Sequence, residues 1–146
     1  MKIIDSFIFY NELVMLEYRL NLLYDIVDYF IIVESTHTFM GNEKKLFFQE
    51  NKQNFEKFLD KIIHIVVEDF PHKNPNINIK NNEQWVNENY QRKQIKRGIE
   101  EINMNMEDVI IVSDLDEIPN PLLLKKIKDK EIMIGIARLE MDFYYY

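Results

Sequence analysis

Two aspartates separated by one residue follow a short apolar run in the last third of the sequence. The run Val109–Val112 leads through Ser113 into Asp114, Leu115 and Asp116. In an extended segment, side chains two residues apart project to the same side, so the two carboxylates could bind one hard divalent cation. A buried carboxylate pair at a strand end is costly without a metal or hydrogen-bond donors, which favours a functional site. The alternative interpretation is a solvated acidic turn.

A divalent cation held in this way most often carries a diphosphate. The sequence contains neither the glycine-rich dinucleotide fingerprint nor a P-loop, since its glycines are Gly41, Gly98 and Gly135. A metal bound at Asp114 and Asp116 would supply the positive charge that must hold the phosphates. We therefore predict that this acidic pair holds Mn²⁺ or Mg²⁺ together with a nucleotide diphosphate.

Composition limits the class of protein. A chain of 146 residues with 47% hydrophobic content can bury one sizeable core, which predicts a single domain over residues 1–146. The 18 Lys and Arg residues against 25 Asp and Glu residues give a net charge of -7, which disfavours nucleic acid as a partner. The chain has no cysteine for disulfides or thiolate metal sites, and no long apolar run that predicts a membrane segment.

Apolar periodicity predicts an alternation of strands and helices. Such alternation is typical of a mostly parallel sheet covered by helices on both faces, with ligands bound outside the carboxyl ends of the strands. The predicted strands are residues 3–9, 29–33, 63–67 and a strand from Val109. The first predicted helix has Asn11 as N-cap candidate and an apolar face of Leu13, Leu16, Leu20, Leu23 and Val27, and the second is marked by Phe55, Phe58, Leu59 and Ile62. A long helix is predicted over residues 83–102, after an exposed loop at residues 71–82.

The long predicted helix carries charged residues on an otherwise apolar stripe. Arg92 either points at the acidic site or forms an ordinary i, i+4 pair with Glu88, which would contribute only ~0.2–0.5 kcal/mol. Gly98 costs ~1 kcal/mol relative to alanine inside a helix, so it indicates either close packing of this helix on the sheet or a glycine with no packing role. The inward stripe is predicted to comprise Trp85, Glu88, Arg92, Ile95, Ile99 and Ile102.

Two further segments have predicted roles. His64 lies in an apolar run and is predicted to be a strand histidine with a hydrogen-bond partner rather than a metal ligand. The alternation in residues 140–146 predicts a terminal strand, and its abrupt end leads us to expect a chain truncated at the C-terminus. The predicted strand has Glu140 and Asp142 on one side and Met141, Phe143 and Tyr145 on the other.

Several segments, in order along nearly the whole chain, resemble the glycosyltransferases of family 17. The resemblance includes the acidic pair and its continuation into Glu117, Ile118 and Pro119. The segments that carry it are Phe9-Tyr10-Asn11-Glu12-Leu13, Leu16-Glu17-Tyr18-Arg19-Leu20, Val27-Asp28-Tyr29-Phe30-Ile31-Ile32-Val33-Glu34-Ser35, Thr38-Phe39 with Gly41, Lys61-Ile62-Ile63-His64, Tyr90-Gln91-Arg92 and Val112-Ser113-Asp114-Leu115-Asp116-Glu117-Ile118-Pro119.

The resemblance implies a GT-A fold, a Rossmann-like arrangement in which a nucleotide sugar lies across the strand ends and an Asp-x-Asp motif carries Mn²⁺ or Mg²⁺. It implies Asp116 as the direct metal ligand and Asp114 as a contact to the ribose or the metal. It further implies that Glu34 approaches the uridine and that Arg92 lies near the nucleotide. The expected donor is UDP-N-acetylglucosamine, and the expected acceptor is a glycan.

The resemblance also implies inversion at the anomeric carbon, which requires a general base opposite the leaving diphosphate. Glu117 is a candidate for that base, and the alternative role is a structural acceptor for backbone N–H groups around Pro119. Family members are often anchored in the Golgi membrane and continue past the position of Tyr146, where we expect the acceptor site and the base to lie. The localisation of this chain is left open.

Two other function classes remain open at this stage. A catalytically incomplete module could bind the nucleotide sugar without transferring it. A magnesium-dependent phosphatase of the haloacid dehalogenase type also uses a strand followed by Asp-x-Asp. That class places its nucleophilic aspartate after the first strand and follows the pair with Gly, Thr or Val, whereas this chain has Glu117, Ile118 and Pro119 there.

Overall fold

Four parallel strands form the centre of the protein in the computed structural model, which describes residues 1–140. The sheet has the order β3-β2-β1-β4, and each neighbouring pair is parallel. This confirms the predicted Rossmann-like α/β arrangement, which is compatible with a GT-A fold. Of the terminal strand predicted for residues 140–146, the part from Met141 onward, with Asp142, Phe143 and Tyr145, lies outside the described residues. The strands are β1 (Ile3–Ile8), β2 (Tyr29–Ser35), β3 (Ile62–Val67) and β4 (Val109–Val112).

The strand order reverses at β1. The chain runs from β1 outward to β2 and β3, and it then returns to place β4 on the other side of β1. The loop after β1 and the turn after β4 both lie at the carboxyl ends of these neighbouring parallel strands, and a crevice opens there. The acidic pair predicted from the sequence follows β4 and lies at this edge.

Helices cover both faces of the sheet because alternate strand residues point to opposite faces. In β2, Phe30 and Ile32 are buried in one core cluster, whereas Ile31 and Val33 are buried in the other. Of the residues described, no helix has the length and apolar run needed to span a membrane. The first face is covered by α1 (Leu13–Leu23), α2 (Phe47–Glu50), a 3₁₀ segment (Lys52–Lys61) kinked at Phe55, and α5 (Pro121–Lys128); the second is covered by α3 (Glu83–Lys93) and α4 (Ile95–Glu100).

The helix boundaries differ from the prediction in several places. Helix α1 begins after Glu12 rather than Asn11, because the Glu12 carboxylate accepts the backbone N–H groups of Tyr10 and Asn11. The second predicted helix is a short α2 followed by the 3₁₀ segment. The loop at residues 71–82 contains a 3₁₀ turn, Ile79–Asn81. Helix α5 was not predicted, although Asn120 caps it through the Leu122 N–H and Pro121 occupies its first turn.

The long predicted helix is divided into α3 and α4 at Gln94, and its predicted inward stripe is confirmed for its three isoleucines, which lie in or against the core, but not for Trp85. Trp85 is 57% exposed, whereas Asn87 and Gln91 are buried. The Gln91 side chain donates to the Val33 carbonyl oxygen at 2.9 Å, so a polar residue is buried because it binds the sheet backbone. The prediction that Trp85 faces inward was therefore wrong.

The close packing predicted at Gly98 is confirmed. A Cβ atom added to Gly98 would lie 2.5 Å from Cγ2 of Ile31 in the central strand β2. Non-bonded carbon atoms do not approach so closely, so the absence of a side chain at Gly98 lets α4 contact the sheet.

We expect Gly98→Ala to lower the free energy of unfolding by about 1–3 kcal/mol, because overpacking against Ile31 outweighs the better helix propensity of alanine. Urea unfolding of the variant measures this change. The control is Gly135→Ala, where an added Cβ meets nothing within 4 Å. Equal stability of the two variants would contradict the packing argument.

Candidate functional site

A cleft of about 1030 Å³ opens at the carboxyl ends of β1 and β4, where the strand order reverses. Its volume suits a small-molecule ligand. The structure brings Asp114 and Asp116 together on one wall of this cleft. The other walls come from residues 8–15 at the end of β1 and the start of α1, residues 37–40 after β2, Lys44, and Glu88 and Gln91 of α3.

The acidic pair lies in a turn rather than in an extended segment. Strand β4 ends at Val112, and the Glu117 N–H donates to the Asp114 carbonyl oxygen at 3.0 Å to close the turn. The geometric premise of the sequence argument was therefore wrong, although both side chains line the cleft. The Asp114 side chain is 50% exposed, and Asp116 is exposed.

A fully buried arginine of α1 holds this turn. Arg19 forms a bidentate pair with Asp5 of β1, with Nε to Oδ2 at 2.8 Å and Nη2 to Oδ1 at 2.7 Å. Both side chains have no exposed surface, and the guanidinium carbon lies 4.6 Å from the ring centroid of Phe7. Paired donors and acceptors of this kind are strong and fix the relative orientation of the two groups.

The rest of the Arg19 guanidinium binds the turn itself. Nη2 donates to the Ser113 hydroxyl oxygen at 2.7 Å, and Nη1 is directed at three backbone carbonyl oxygens. Every N–H of the guanidinium therefore has a partner, which offsets the cost of burying the charge. The three carbonyl oxygens belong to Asp114, Leu115 and Glu117, at 2.8, 3.0 and 3.2 Å.

The sequence analysis assigned no role to Arg19 or Asp5, although both carry a signal. Asp5 interrupts the apolar first strand. Arg19 falls on the buried face of α1, between Leu16 and Leu20. A lone acid in a buried strand and a lone base on a buried helix face indicate a pair, because neither is stable in the core alone.

Arg92 contacts the acidic site, and both interpretations of it hold. Its Nη1 donates to Oδ1 of Asp114 at 2.8 Å, and its Nη2 donates to Oε1 of Glu88 at 3.0 Å. Partial burial lowers the pKa of the guanidinium, but its hydrogen bonds to Asp114 and Glu88, together with their negative charges, outweigh this effect and raise the pKa above its ordinary value. Arg92 thus fixes one oxygen of Asp114 beside the cleft.

Glu34 is not brought to the cleft. It has no exposed surface, and its carboxylate accepts the backbone N–H groups of Phe48 and Gln49 at 3.0 and 3.1 Å. Nε2 of His64 lies 2.9 Å from Oε1 of Glu34, which confirms that His64 is a strand histidine with a partner. Glu34 is the last but one residue of β2, and its side chain turns inward to hold α2.

Glu117 has a structural partner. Its carboxylate accepts the Asp114 N–H at 2.9 Å, and its side chain lies outside the set that lines the cleft. It is therefore a backbone acceptor, as in the alternative interpretation, although its donor belongs to Asp114 and not to the residues around Pro119. The proposed role as general base has no support in this position.

The acidic pair fits a metal that shares its coordination with substrate. Across residues 1–140, no group of three or more His, Asp or Glu side chains is arranged to hold a metal ion. Mg²⁺ is commonly bound by one or two carboxylates together with substrate phosphates and water. Asp116, which is exposed, and the outer oxygen of Asp114 match this arrangement in donor chemistry.

Three acidic or basic residues of the cleft, two Glu and one Lys, were not singled out from the sequence as site residues. Glu12 and Lys44 line the cleft, as does Glu88, which had been considered only as a partner of Arg92. Glu12 belongs to one of the segments that carry the family resemblance. No local pattern distinguishes Lys44, because only the folded loop between β2 and α2 brings it to the cleft.

The protein is of the α/β class, and its ligand-sized cleft lies at the carboxyl ends of parallel strands. The sequence model of glycosyltransferase family 17 matches residues 1–146, and the chain belongs to this family. This confirms the resemblance noted in the sequence.

Individual relatives support the same assignment. The beta-1,4-mannosyl-glycoprotein 4-beta-N-acetylglucosaminyltransferases of Rattus norvegicus and Homo sapiens are both 29% identical to this chain over 122 residues, and that of Mus musculus is 28% identical. The matches cover 81% of this chain but 22% of each relative, so the chain spans only about a fifth of their length. No solved structure gives a significant match.

We expect Arg19→Met to lower the free energy of unfolding by about 3–5 kcal/mol, because it leaves the Asp5 carboxylate buried without its partner. Adding Asp5→Asn should recover part of the loss, since the two residues act as a pair. Urea unfolding measures both effects, with the exposed Arg138→Met as the control. An Arg19→Met protein as stable as the control would show that the pair does not hold the fold.

Proposed function

We propose that this chain forms the donor-binding part of a glycosyltransferase that transfers N-acetylglucosamine from UDP-N-acetylglucosamine to a glycan acceptor. The observation that carries the proposal is the presence of Asp114 and Asp116 on the wall of a ligand-sized cleft, at the strand-order reversal of a family 17 chain. The names of the relatives describe N-acetylglucosaminyl transfer to a mannosyl glycoprotein, which supports the choice of sugar and of acceptor class. The proposal treats residues 1–146 as one unit.

The proposal includes Mn²⁺ or Mg²⁺, held by Asp116 and by the oxygen of Asp114 that is not bonded to Arg92. When bound, the metal would supply positive charge to the departing diphosphate. The remaining ligands would come from phosphate oxygens and water, because the described residues offer no third acidic or histidine ligand beside the pair.

The residues of the chain contribute positioning. Arg19 holds the backbone of the turn, and Arg92 holds Asp114, so the carboxylates need little rearrangement when the donor binds. In an inverting transfer, an acceptor oxygen forms a bond to the anomeric carbon as the bond to the diphosphate breaks, and the acceptor proton passes to a base. Glu12 and Glu88 line the cleft and Glu117 does not, so Glu117 fits the structural role better than the base.

We expect wild-type protein to bind UDP and UDP-N-acetylglucosamine saturably in the presence of Mn²⁺ and weakly without it. Asp116→Ala should abolish the Mn²⁺-dependent binding without lowering the melting temperature, because it removes an exposed ligand and no core volume. Calorimetric titration with and without Mn²⁺ measures the binding. Asp25→Ala is the matched control, since Asp25 is exposed and precedes β2 at the opposite edge of the sheet.

Unchanged nucleotide affinity in Asp116→Ala would contradict the metal site. Binding that depends on Mn²⁺, without any transfer of N-acetylglucosamine to a mannose-containing glycan, would favour a module that binds the donor and leaves transfer to other residues. Absence of nucleotide binding in the wild-type protein would refute the proposal.

A further inference from the structure

Lys44 occupies a fixed position in the wall of the cleft. It lies in the loop between β2 and α2, and its Nζ is 5.3 Å from the ring centroid of Tyr10 and 5.6 Å from that of Phe47. The two rings meet edge to face at 6.1 Å between centroids. Contact with two aromatic rings favours one position for the ammonium group, because each ring attracts the cation.

The position of Lys44 matters because the cleft is otherwise acidic. Among residues 1–140, four carboxylate side chains line it, and Lys44 is the one Lys or Arg side chain in the same lining. A nucleoside diphosphate carries several negative charges, so this arrangement would repel it without cationic groups. The four carboxylates belong to Glu12, Glu88, Asp114 and Asp116.

The two cations near the cleft differ in their availability. The guanidinium of Arg92 is bonded to Asp114 and Glu88. Within residues 1–140, Lys44 forms no ion pair within 4.0 Å, and its Nζ donates to the Lys45 carbonyl oxygen at 3.1 Å. An ammonium group has three N–H donors, so Lys44 can still donate to a ligand.

Partial burial supports the same assignment. Desolvation lowers the pKa of the Lys44 ammonium, and the charges of Glu34 and Glu12 oppose this shift without cancelling it. An ammonium that has lost part of its water shell gains more from a bound anion than a fully hydrated one does. A negatively charged group of a ligand would therefore replace the water that the Lys44 ammonium has lost.

We propose that Lys44 binds a phosphate group of the donor nucleotide and is a further donor-binding residue of the cleft. This inference rests on the proposed function and extends it. Lys44 would supply positive charge to the phosphate from the wall formed by the loop after β2. Asp114 and Asp116 lie on the wall formed by the turn after β4. The diphosphate would lie between the two.

The test compares Lys44→Met with wild type in calorimetric titrations with UDP, uridine and inorganic pyrophosphate, all with Mn²⁺. Methionine keeps an unbranched apolar stem against Tyr10 and Phe47 and removes the charge. Loss of one charge-assisted contact should weaken UDP and pyrophosphate binding by about tenfold or more and leave uridine affinity nearly unchanged. Lys44→Arg should retain most of the UDP affinity, and Lys45→Met, an exposed neighbour outside the cleft lining, should match wild type.

The outcomes separate this inference from the proposed function. Wild-type binding of UDP that Lys44→Met leaves unchanged would overturn the role of Lys44 alone. Equal weakening of uridine and UDP would also overturn it, because Lys44 would then act by holding the aromatic wall. A wild-type protein that binds neither UDP nor pyrophosphate would overturn both proposals. Melting temperatures of all variants establish that each is folded.

Discussion

The buried pair between Arg19 and Asp5 is the interaction on which the geometry of the cleft depends. It joins β1, α1 and the turn after β4. Arg19 is 14 residues from Asp5 and 98 residues from Glu117, the most distant residue of the turn that it binds. A charged pair in the core is costly to desolvate, and it is tolerated here because the guanidinium has acceptors for all its N–H groups. Three of these acceptors are backbone carbonyl oxygens of the acidic turn, so the core interaction and the site are one network.

Two polar residues of α3 have a comparable role on the other face of the sheet. Gln91 donates to the Val33 carbonyl oxygen, and Asn87 donates to the carbonyl oxygens of Phe39 and His72. These bonds fix α3 against the loop after β2. Arg92, which follows Gln91 in the same helix, binds Asp114 in the turn after β4. The cleft is therefore bounded by segments that are each tied to the sheet, which limits how far its walls can move.

The cleft carries mostly negative charge, so an anionic donor would need positive charge from more than one of its walls. The chain has a net charge of -7, and four carboxylates line the cleft, so general electrostatic attraction does not favour an anionic donor. Binding of a nucleoside diphosphate would instead depend on a few cations at defined positions. In the proposed arrangement, a metal at the acidic turn and the ammonium of Lys44 would provide them from two different loops, so affinity would depend on the fold of both.

The sequence by itself determined the strands, the parallel α/β class and the placement of the acidic pair at a strand end. These follow from local apolar patterning, which is most complete in β1 and β2, where both faces of the strand are buried. Gly98 was also interpretable, because a glycine inside a helix indicates an approach too close for a side chain. Only the tertiary structure decided that Glu34 turns inward to α2, that Trp85 is exposed while Gln91 is buried, and that Asp114 and Asp116 lie in a turn held by Arg19. Each of these depends on hydrogen-bond partners distant in sequence, and whether a polar side chain is buried depends on whether such partners are present.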